Sequence, residues 1–343
     1  MTRSCLLSIL AVASAAGCAA STAQAATDPT FILTATAKDF DSYFPGQLAN
    51  GFISTMTAPR GTEGNLAYMV AFMDYAKDDI SRPAAIPGWT EIDYSTGASD
   101  TDHVWMNQVR LTPSVFEDYR QVLNMHDATL TTNYRYLDHG KATRVEVVTF
   151  VSQASPHLAA SQLSITPEFD GEVQLSFALN LWAPYQPRLP LAKLTGDELP
   201  LVIAAHNLTL EAIPPATADR AAEWYHGDTH VLADDGDSNN LTLWLDGRAE
   251  QGLAMAQAAA IGLPQDFKPV EVKLVKNDYR LALNLRVAVR KGQTYTFTKF
   301  VAASREGWGG DARADVALVT AARSQGFAAL LDAHKSAWAR LWK

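Results

Sequence analysis

Cysteine is nearly absent from this sequence: Cys5 and Cys18 are the only two, and both lie in the first 25 residues. Those residues read as an export signal, with Arg3 ahead of a short apolar core at 6–13 and Ala23-Gln24-Ala25 as a small-residue cleavage site. A chain cut after Ala25 keeps no cysteine, which excludes a structural disulfide, a thiolate metal site and a cysteine nucleophile. Long apolar runs are also missing. The core at 6–13 is far shorter than the ~20 residues a bilayer span requires, so export is favoured over a transmembrane anchor. Positive charge is scarce: 28 Lys and Arg stand against 37 Asp and Glu, a net charge of −9 that becomes −10 when Arg3 leaves with the signal. That balance argues against nucleic acid, whose binding rests on phosphate neutralisation by Lys and Arg. Compact catalytic signatures are lacking as well: there is no His-Glu-x-x-His, no Gly-x-Ser-x-Gly, no phosphate-binding Gly-x-x-x-x-Gly-Lys and no dinucleotide Gly-x-Gly-x-x-Gly. No metal and no cofactor is expected.

What remains after Ala25, 343 less 25 or 318 residues, is long enough to bury about 75% of its unfolded surface without covalent staples. Ala16-Gly17-Cys18 has the form of the end of a bacterial lipobox, with Ala15 where a large aliphatic residue is usual, so lipid attachment at Cys18 stands as an alternative to cleavage after Ala25.

The central stretch, 144–182, organises the rest. Runs at 145–151, 159–166 and 172–181 alternate apolar and polar residues with period two, Val173, Leu175, Phe177 and Leu179 facing one way and Glu172, Gln174 and Ser176 the other. Ser155-Pro156-His157 and the turn at 167–171 separate them, which predicts an antiparallel meander. Further strands are expected on both sides, among them 31–37, 52–57, 66–74, 89–94, 104–111, 115–123 and 128–137 before it. After it come 199–205, 208–213, 229–232, 241–245, 270–276, 279–290 and 294–302, with one Ala-rich helix at 249–261. Asn50-Gly51 marks a tight turn because both residues tolerate positive φ. So many short strands predict an all-β fold, a large antiparallel β-sandwich.

The segment 311–342 differs: Phe327, Leu330, Leu331, His334, Trp338, Leu341 and Trp342 fall on one face of a helix, and Gly326 is placed to break it in two. The expected organisation is a signal at 1–25, the sandwich at 26–310 and C-terminal linker helices at 311–343. Trp338 and Trp342 require a partner surface, either the sandwich itself or something beyond this chain.

Two local groups invite a functional reading. His226, Asp228 and His230 fall at i, i+2 and i+4, one face of a strand and the spacing of a metal site. Neither a fourth ligand nor a calcium-loop spacing follows them through the acidic turn at 234–237, so solvated loop residues are the stronger account. The loop at 80–89 sets Arg82 and Trp89 around Pro83 and Pro87, a bidentate donor and a flat aromatic held by two stiffening residues. Sugars are bound by that combination, polar donors to hydroxyls and ring faces to C–H surfaces. Equally, Trp89 plugs the sandwich rim and Arg82 caps carbonyls.

At these residues a family resemblance emerges. The run Tyr43-Phe44-Pro45-Gly46-Gln47-Leu48-Ala49-Asn50-Gly51-Phe52 resembles the Gly-Asn-Gly opening of glycoside hydrolase family 65, with Ala49 for the first glycine. Val122-Leu123-Asn124-Met125-His126-Asp127-Ala128 is similar to its Leu-Asp-Met-x-x-Gly step, Asn124 and Ala128 departing. The 82–89 loop and the segments 149–171, 292–301 and 334–342 extend the likeness over roughly 31–343, closest to the exported acid trehalase and related α-glucosidase branch. The resemblance implies a supersandwich like that of galactose mutarotase, a linker helix, and then an (α/α)6 barrel that carries the catalytic glutamate. It places no catalytic residue in this chain, since the sequence ends within the linker helix. The substrate-binding residues it implies are Arg82, Trp89 and Asn50, with an α-glucoside as ligand and a homodimer as the assembly.

Two functions follow as expectations. One is the N-terminal domain of an exported enzyme acting on trehalose-like α-glucosides, periplasmic or secreted, and inactive without its barrel. The other is a free-standing periplasmic carbohydrate-binding protein. Chemistry intrinsic to the sandwich, a hydrolase or epimerase using His226 and His230, is a third and weaker reading.

Overall fold

The computed structural model describes residues 28–74, 82–97, 105–180, 229–249, 253–277, 280–309 and 311–342. Before the centre run β1 (Ile32–Thr36), β2 (Gln47–Ala49), β3 (Ile53–Met56), β4 (Ala67–Asp74), β5 (Arg82–Ile86) and β6 (Ile92–Ser95). The centre holds β7 (Phe116–Asn124), β8 (Thr129–Asp138), β9 (Lys141–Val151), β10 (Leu158–Pro167) and β11 (Gly171–Asn180). After it come β12 (Thr229–Asp237), β13 (Thr242–Ala249), β14 (Ala254–Gly262), β15 (Glu271–Asn277), β16 (Arg280–Val289) and β17 (Tyr295–Arg305). Two helices close the fold, α1 (Ala312–Gln325) and α2 (Phe327–Leu341).

Among the described residues these strands build three antiparallel sheets. Nine strands run in the order β1-β7-β8-β9-β10-β17-β14-β13-β12, four in the order β15-β16-β11-β6, and four in the order β2-β3-β4-β5. The inward faces of all three meet in one core, where Leu163, Phe297, Val147, Leu175, Phe177, Leu283 and Ile53 are essentially inaccessible to water. Each such side chain contributes about 1.5–3 kcal/mol of burial, and the period-two alternation delivers them to one side.

The central meander is corrected by this topology. β9 and β10 do pair, Leu163 opposite Val147, but β10 then pairs with β17 and β11 crosses to the second sheet, pairing with β16 and β6. A strand's own alternation says which side faces a core and not which sheet supplies its neighbours, so a crossover and a hairpin look alike locally.

The Ala-rich run expected as a helix is strand β14. It lies between β13 and β17 with both faces covered: Met255, Ala259 and Ile261 face the sandwich core, while Ala258 and Ala260 face a second cluster beneath α1 with Phe300, Ala302, Val319 and Ala322. Tertiary packing overrides alanine's helix preference here, because small side chains let a helix lie close on the sheet. The strand expected at 104–111 is a short 3-10 turn, Met106–Gln108, whose Asn107 N–H donates to the Asp93 carboxylate at 3.0 Å instead of to a neighbouring strand. The acidic run at 234–237 is strand as well, paired with β13. The strands expected at 199–205 and 208–213 lie outside the described residues, as do the signal and its Cys5 and Cys18.

The helical segment follows its pattern. Asp311 caps α1 by accepting from the Ala314 N–H at 2.9 Å, and Gly326 breaks the helix at φ +89°, a conformation natural to glycine. Of the two tryptophans Trp342 packs on the sandwich, its indole N–H donating to the His126 carbonyl at 2.7 Å and its ring stacking on His126 at 5.9 Å, while Trp338 packs against His334 and Trp342. No helix among the described residues is long and apolar enough to cross a membrane.

Candidate functional site

The residues marked by sequence lie apart in role. Asn50 sits in the β2–β3 turn and spends its side chain on backbone: its amide donates to the Ser152 and Pro156 carbonyls at 2.7 and 2.9 Å, and its carbonyl accepts from the Phe52 and Ile53 N–H groups. It staples this turn to the β9–β10 link. Arg82 opens β5, opposite Asp74. Trp89 is wholly buried in the core, its indole N–H without a hydrogen-bond partner, so its ring offers no face to solvent. His226 and Asp228 lie outside the described residues, and His230 belongs to β12.

The segment carrying Trp89 nevertheless leads into a connected cluster of polar side chains. Gly88 and Asn180 exchange backbone hydrogen bonds at 2.8 and 3.1 Å, and a Cβ on Gly88 would meet the Asn65 carbonyl at 3.0 Å, so the glycine allows the chain this approach. Beyond it, β6, β11 and β16 turn their apolar residues inward and a polar set outward, and the register aligns that set: Ser176 opposite Asn284 and Asp93, Asn180 opposite Arg280. The Arg280 guanidinium pairs with the Glu91 carboxylate at 2.6 Å and donates to the Ser176 hydroxyl at 3.0 Å. Ser176 in turn donates to Asn284 at 2.5 Å, and the Asn180 amide donates to Glu91 at 3.2 Å. The Arg280 guanidinium lies over the Trp105 ring, 5.9 Å from its centre, and its Nε is buried without a partner.

Burial governs the charges around this cluster. Desolvation, reinforced by Glu91, pushes Asp93 up to about 7, against the Asn107 and Tyr94 N–H groups that hold its charge. From the opposite sheet Lys299 reaches through the core to donate to the carbonyls of Glu91, at 3.1 Å, and Ala178. Burial pushes this ammonium down to about 7, with Glu91 opposing the shift. An unfolded lysine titrates near 10.4, so between about pH 7 and that value the unfolded chain binds the extra proton and stability rises with pH. Lys299→Met is therefore expected to remove about 2 kcal/mol of the gain in stability between pH 7 and 9. Denaturation of both proteins at the two pH values checks it; parallel slopes would mean that Lys299 stays charged in the fold.

A paired carboxylate and guanidinium, an amide and a flat indole supply donors, acceptors and a ring face for a neutral polyhydroxylated ligand, while the buried Ser176 hydroxyl is spent on Arg280 and Asn284. Sequence reasoning missed Glu91, Arg280, Asn180 and Trp105. The available signal was the polar side of β11, but which strands bring their polar sides alongside it is a property of the topology. Among the described residues no group of acidic, histidine or cysteine side chains is placed to hold a metal ion.

The described residues thus form an all-antiparallel β-sandwich followed by a helical hairpin, with a polar cluster where β6, β11 and β16 meet. The sequence matches glycosyl hydrolase family 65, N-terminal domain, over residues 83–185 and 204–341, and the chain belongs to that family. No curated protein sequence matches it. Among solved structures, a protein assigned as a kojibiose phosphorylase from the human microbiome superposes with a TM-score of 0.63 at 11% identity, covering 92% of this chain and 38% of that one. The chain thus spans well under half the length of that relative, and at this identity the likeness establishes the fold alone. A protein assigned as an aldose 1-epimerase from Escherichia coli K12 matches at a TM-score of 0.32 and 12% identity, over 77% of this chain and 99% of its own. A galactose mutarotase related enzyme from Lactobacillus acidophilus matches at 0.29 and 8%, over 76% and 97%. The last two superpose too loosely to carry an argument.

Proposed function

We propose that this chain is the non-catalytic N-terminal domain of an exported glycoside hydrolase acting on trehalose-like α-glucosides, with a sugar-binding and scaffolding role. The observation that carries the reading is the family match over both halves of the chain. The relative assigned as a kojibiose phosphorylase, of which this chain spans 38%, adds an α-glucoside to the reading. In this reading the partner is an (α/α)6 catalytic barrel that the helical hairpin joins to the sandwich, and the enzyme works as a homodimer. The leader at 1–25 directs it to the periplasm or the medium, freed after Ala25 or anchored by lipid at Cys18.

A second reading, a free-standing periplasmic carbohydrate-binding protein, is favoured by the Glu91, Arg280 and Trp105 cluster, which needs no barrel to bind a sugar. The intact mass of the native protein from its producing cell separates the two. A mass far above 37.2 kDa, with hydrolysis of trehalose, maltose or kojibiose, supports the first. A mass slightly below it, matching cleavage after Ala25, with sugar binding and no turnover, moves the conclusion to the second. An uncleaved chain at 37.2 kDa removes export from both.

A further inference from the structure

A cleft lies at one end of the nine-stranded sheet, beside its edge strand β1. It encloses about 390 Å³, within the range of about 300–1,000 Å³ common to small-molecule sites. Its floor is a fixed polar relay. The Tyr43 phenol donates to the Gln121 side-chain carbonyl at 2.7 Å, so the 2.8 Å contact between Tyr43 and Thr57 has the threonine as donor, and Thr57 accepts from the Gly46 N–H at 2.8 Å. Burial pushes the Tyr43 phenol up to about 12, which keeps it a neutral hydroxyl. The Gln121 amide donates to the Ala58 carbonyl and the Thr132 hydroxyl, each at 2.9 Å, which fixes its orientation. The floor is therefore rigid before any ligand arrives.

The walls define the ligand's chemistry. Leu33, Leu123 and Leu130 supply apolar surface, and Phe44 stands at the cleft with 90% of its surface exposed, the most exposed of the large apolar side chains described. Polar groups remain to be used. Asp39 accepts the Thr36 N–H and hydroxyl through Oδ2, at 2.7 and 3.1 Å, and its Oδ1 has no partner among the described residues. The hydroxyls of Ser42 and Thr34 also line the cleft. No lysine, arginine or histidine lines it. An anion would meet Asp39 with nothing to neutralise it, whereas a neutral ring with one C–H face and several hydroxyls meets an aromatic face, an acceptor and hydroxyl partners together.

We propose that this cleft is a binding site for a single neutral pyranose unit, with Phe44 stacking on the sugar's C–H face and Asp39 Oδ1 accepting from its hydroxyls. The choice of a sugar among neutral polyols rests on the glycoside-directed reading above. The cleft is separate from the Glu91 and Arg280 cluster, which lies on the outer face of the β15-β16-β11-β6 sheet.

The test is titration of the ¹⁵N-labelled chain with maltose, kojibiose and trehalose in turn. Saturable shifts are expected at residues 33–46 and 121–123, with a Kd on the order of millimolar. Phe44→Ala is expected to weaken binding about tenfold, and Ser42→Trp, which fills the cleft from an exposed position, to abolish it. Both variants should melt with the parent. Shifts confined to residues around Glu91, Trp105 and Arg280, and unchanged by Phe44→Ala, would overturn the cleft and leave the sugar-directed reading standing. No shift with any of the three sugars would overturn the cleft, and the activity of the native protein would then decide the wider reading by itself. A Phe44→Ala chain that binds sugar normally but sediments as a monomer where the parent is a dimer would make Phe44 a protein contact and also overturn it.

Discussion

Trp89→Ala is expected to cost about 3–5 kcal/mol of stability, the range for emptying a core aromatic site, while Trp89→Phe costs roughly 1 kcal/mol. The contrast follows from what the indole touches. Trp89 is fully buried within the shared core of the three sheets, so deleting its ring opens a cavity that strands on both sides are too constrained to close. Its N–H has no acceptor, an uncompensated desolvation of about 1–3 kcal/mol that phenylalanine removes, which offsets part of the lost volume. A tryptophan acting as a sugar platform predicts the reverse: an alanine variant as stable as the parent but impaired in sugar binding. Guanidinium denaturation with the midpoint shifted at constant m separates the two roles. An unchanged midpoint in Trp89→Ala would return this residue to the rim, and with it the stacking role read from the sequence.

Trp89 also shows where local sequence stops being informative. A tryptophan after a stiff proline-containing loop has the chemistry of a binding residue and of a core plug alike, and the side of the chain it falls on is decided by the bridge between Gly88 and Asn180, 92 residues apart. The same limit explains the meander. The alternation at β9, β10 and β11 correctly marked three strands and their buried faces, since period two is a property of the strand itself. It could not say that Leu163 would face Phe297 in the middle of one sheet while Leu175 faces Leu285 in another. The Ala-rich β14 is the opposite case: its composition spoke for a helix, and only the arrival of α1 on its outer side makes small residues the right ones for a strand.

The candidate polar cluster was half legible. Gln174 and Ser176 stood out as the polar side of β11, and a surface position was the natural expectation. Both are buried, Ser176 completely. Partners drawn from β16, from the residue before β6 and from Trp105 convert a polar strand face into a closed network of hydrogen bonds. By contrast the helical hairpin was readable nearly to the residue, because its cap at Asp311, its break at Gly326 and its apolar stripe are all encoded within a few positions of one another.

That stripe contains a titratable group buried between the helix and the sandwich. His334 is fully buried on α2, with Leu330 and Ala337 beside it on the same face and the Phe150 ring 4.8 Å from its own. Its Nε2–H donates to the Asp127 carbonyl at 2.7 Å and its Nδ1 accepts from the Gln153 N–H at 3.0 Å. One neutral tautomer thereby latches α2 to both the β7–β8 and the β9–β10 links. A proton on Nδ1 would point at the Gln153 N–H, donor against donor, and burial holds the folded-state pKa below the ordinary value near 6.5. Since the unfolded chain takes up that proton first, the latch is fully present above about pH 6.5 and is lost as pH falls toward the folded-state pKa. Asp93 and Asp315, whose burial pushes each up to about 7, act in the opposite sense, gaining stability as pH falls through the same window. The effect must therefore be read as a difference between proteins. His334→Ala is expected to cost about 3 kcal/mol at pH 8 through its cavity and two unpaired backbone groups, with less cost at pH 5, where the parent's latch is already weakened. Protection of the Gln153 amide, taken relative to its intrinsic exchange rate at each pH, should fall in the variant at pH 8 and in the parent at pH 5. If the parent and His334→Ala lose or gain stability in parallel from pH 8 to pH 5, the imidazole does not titrate in this range and the helix is held by packing alone.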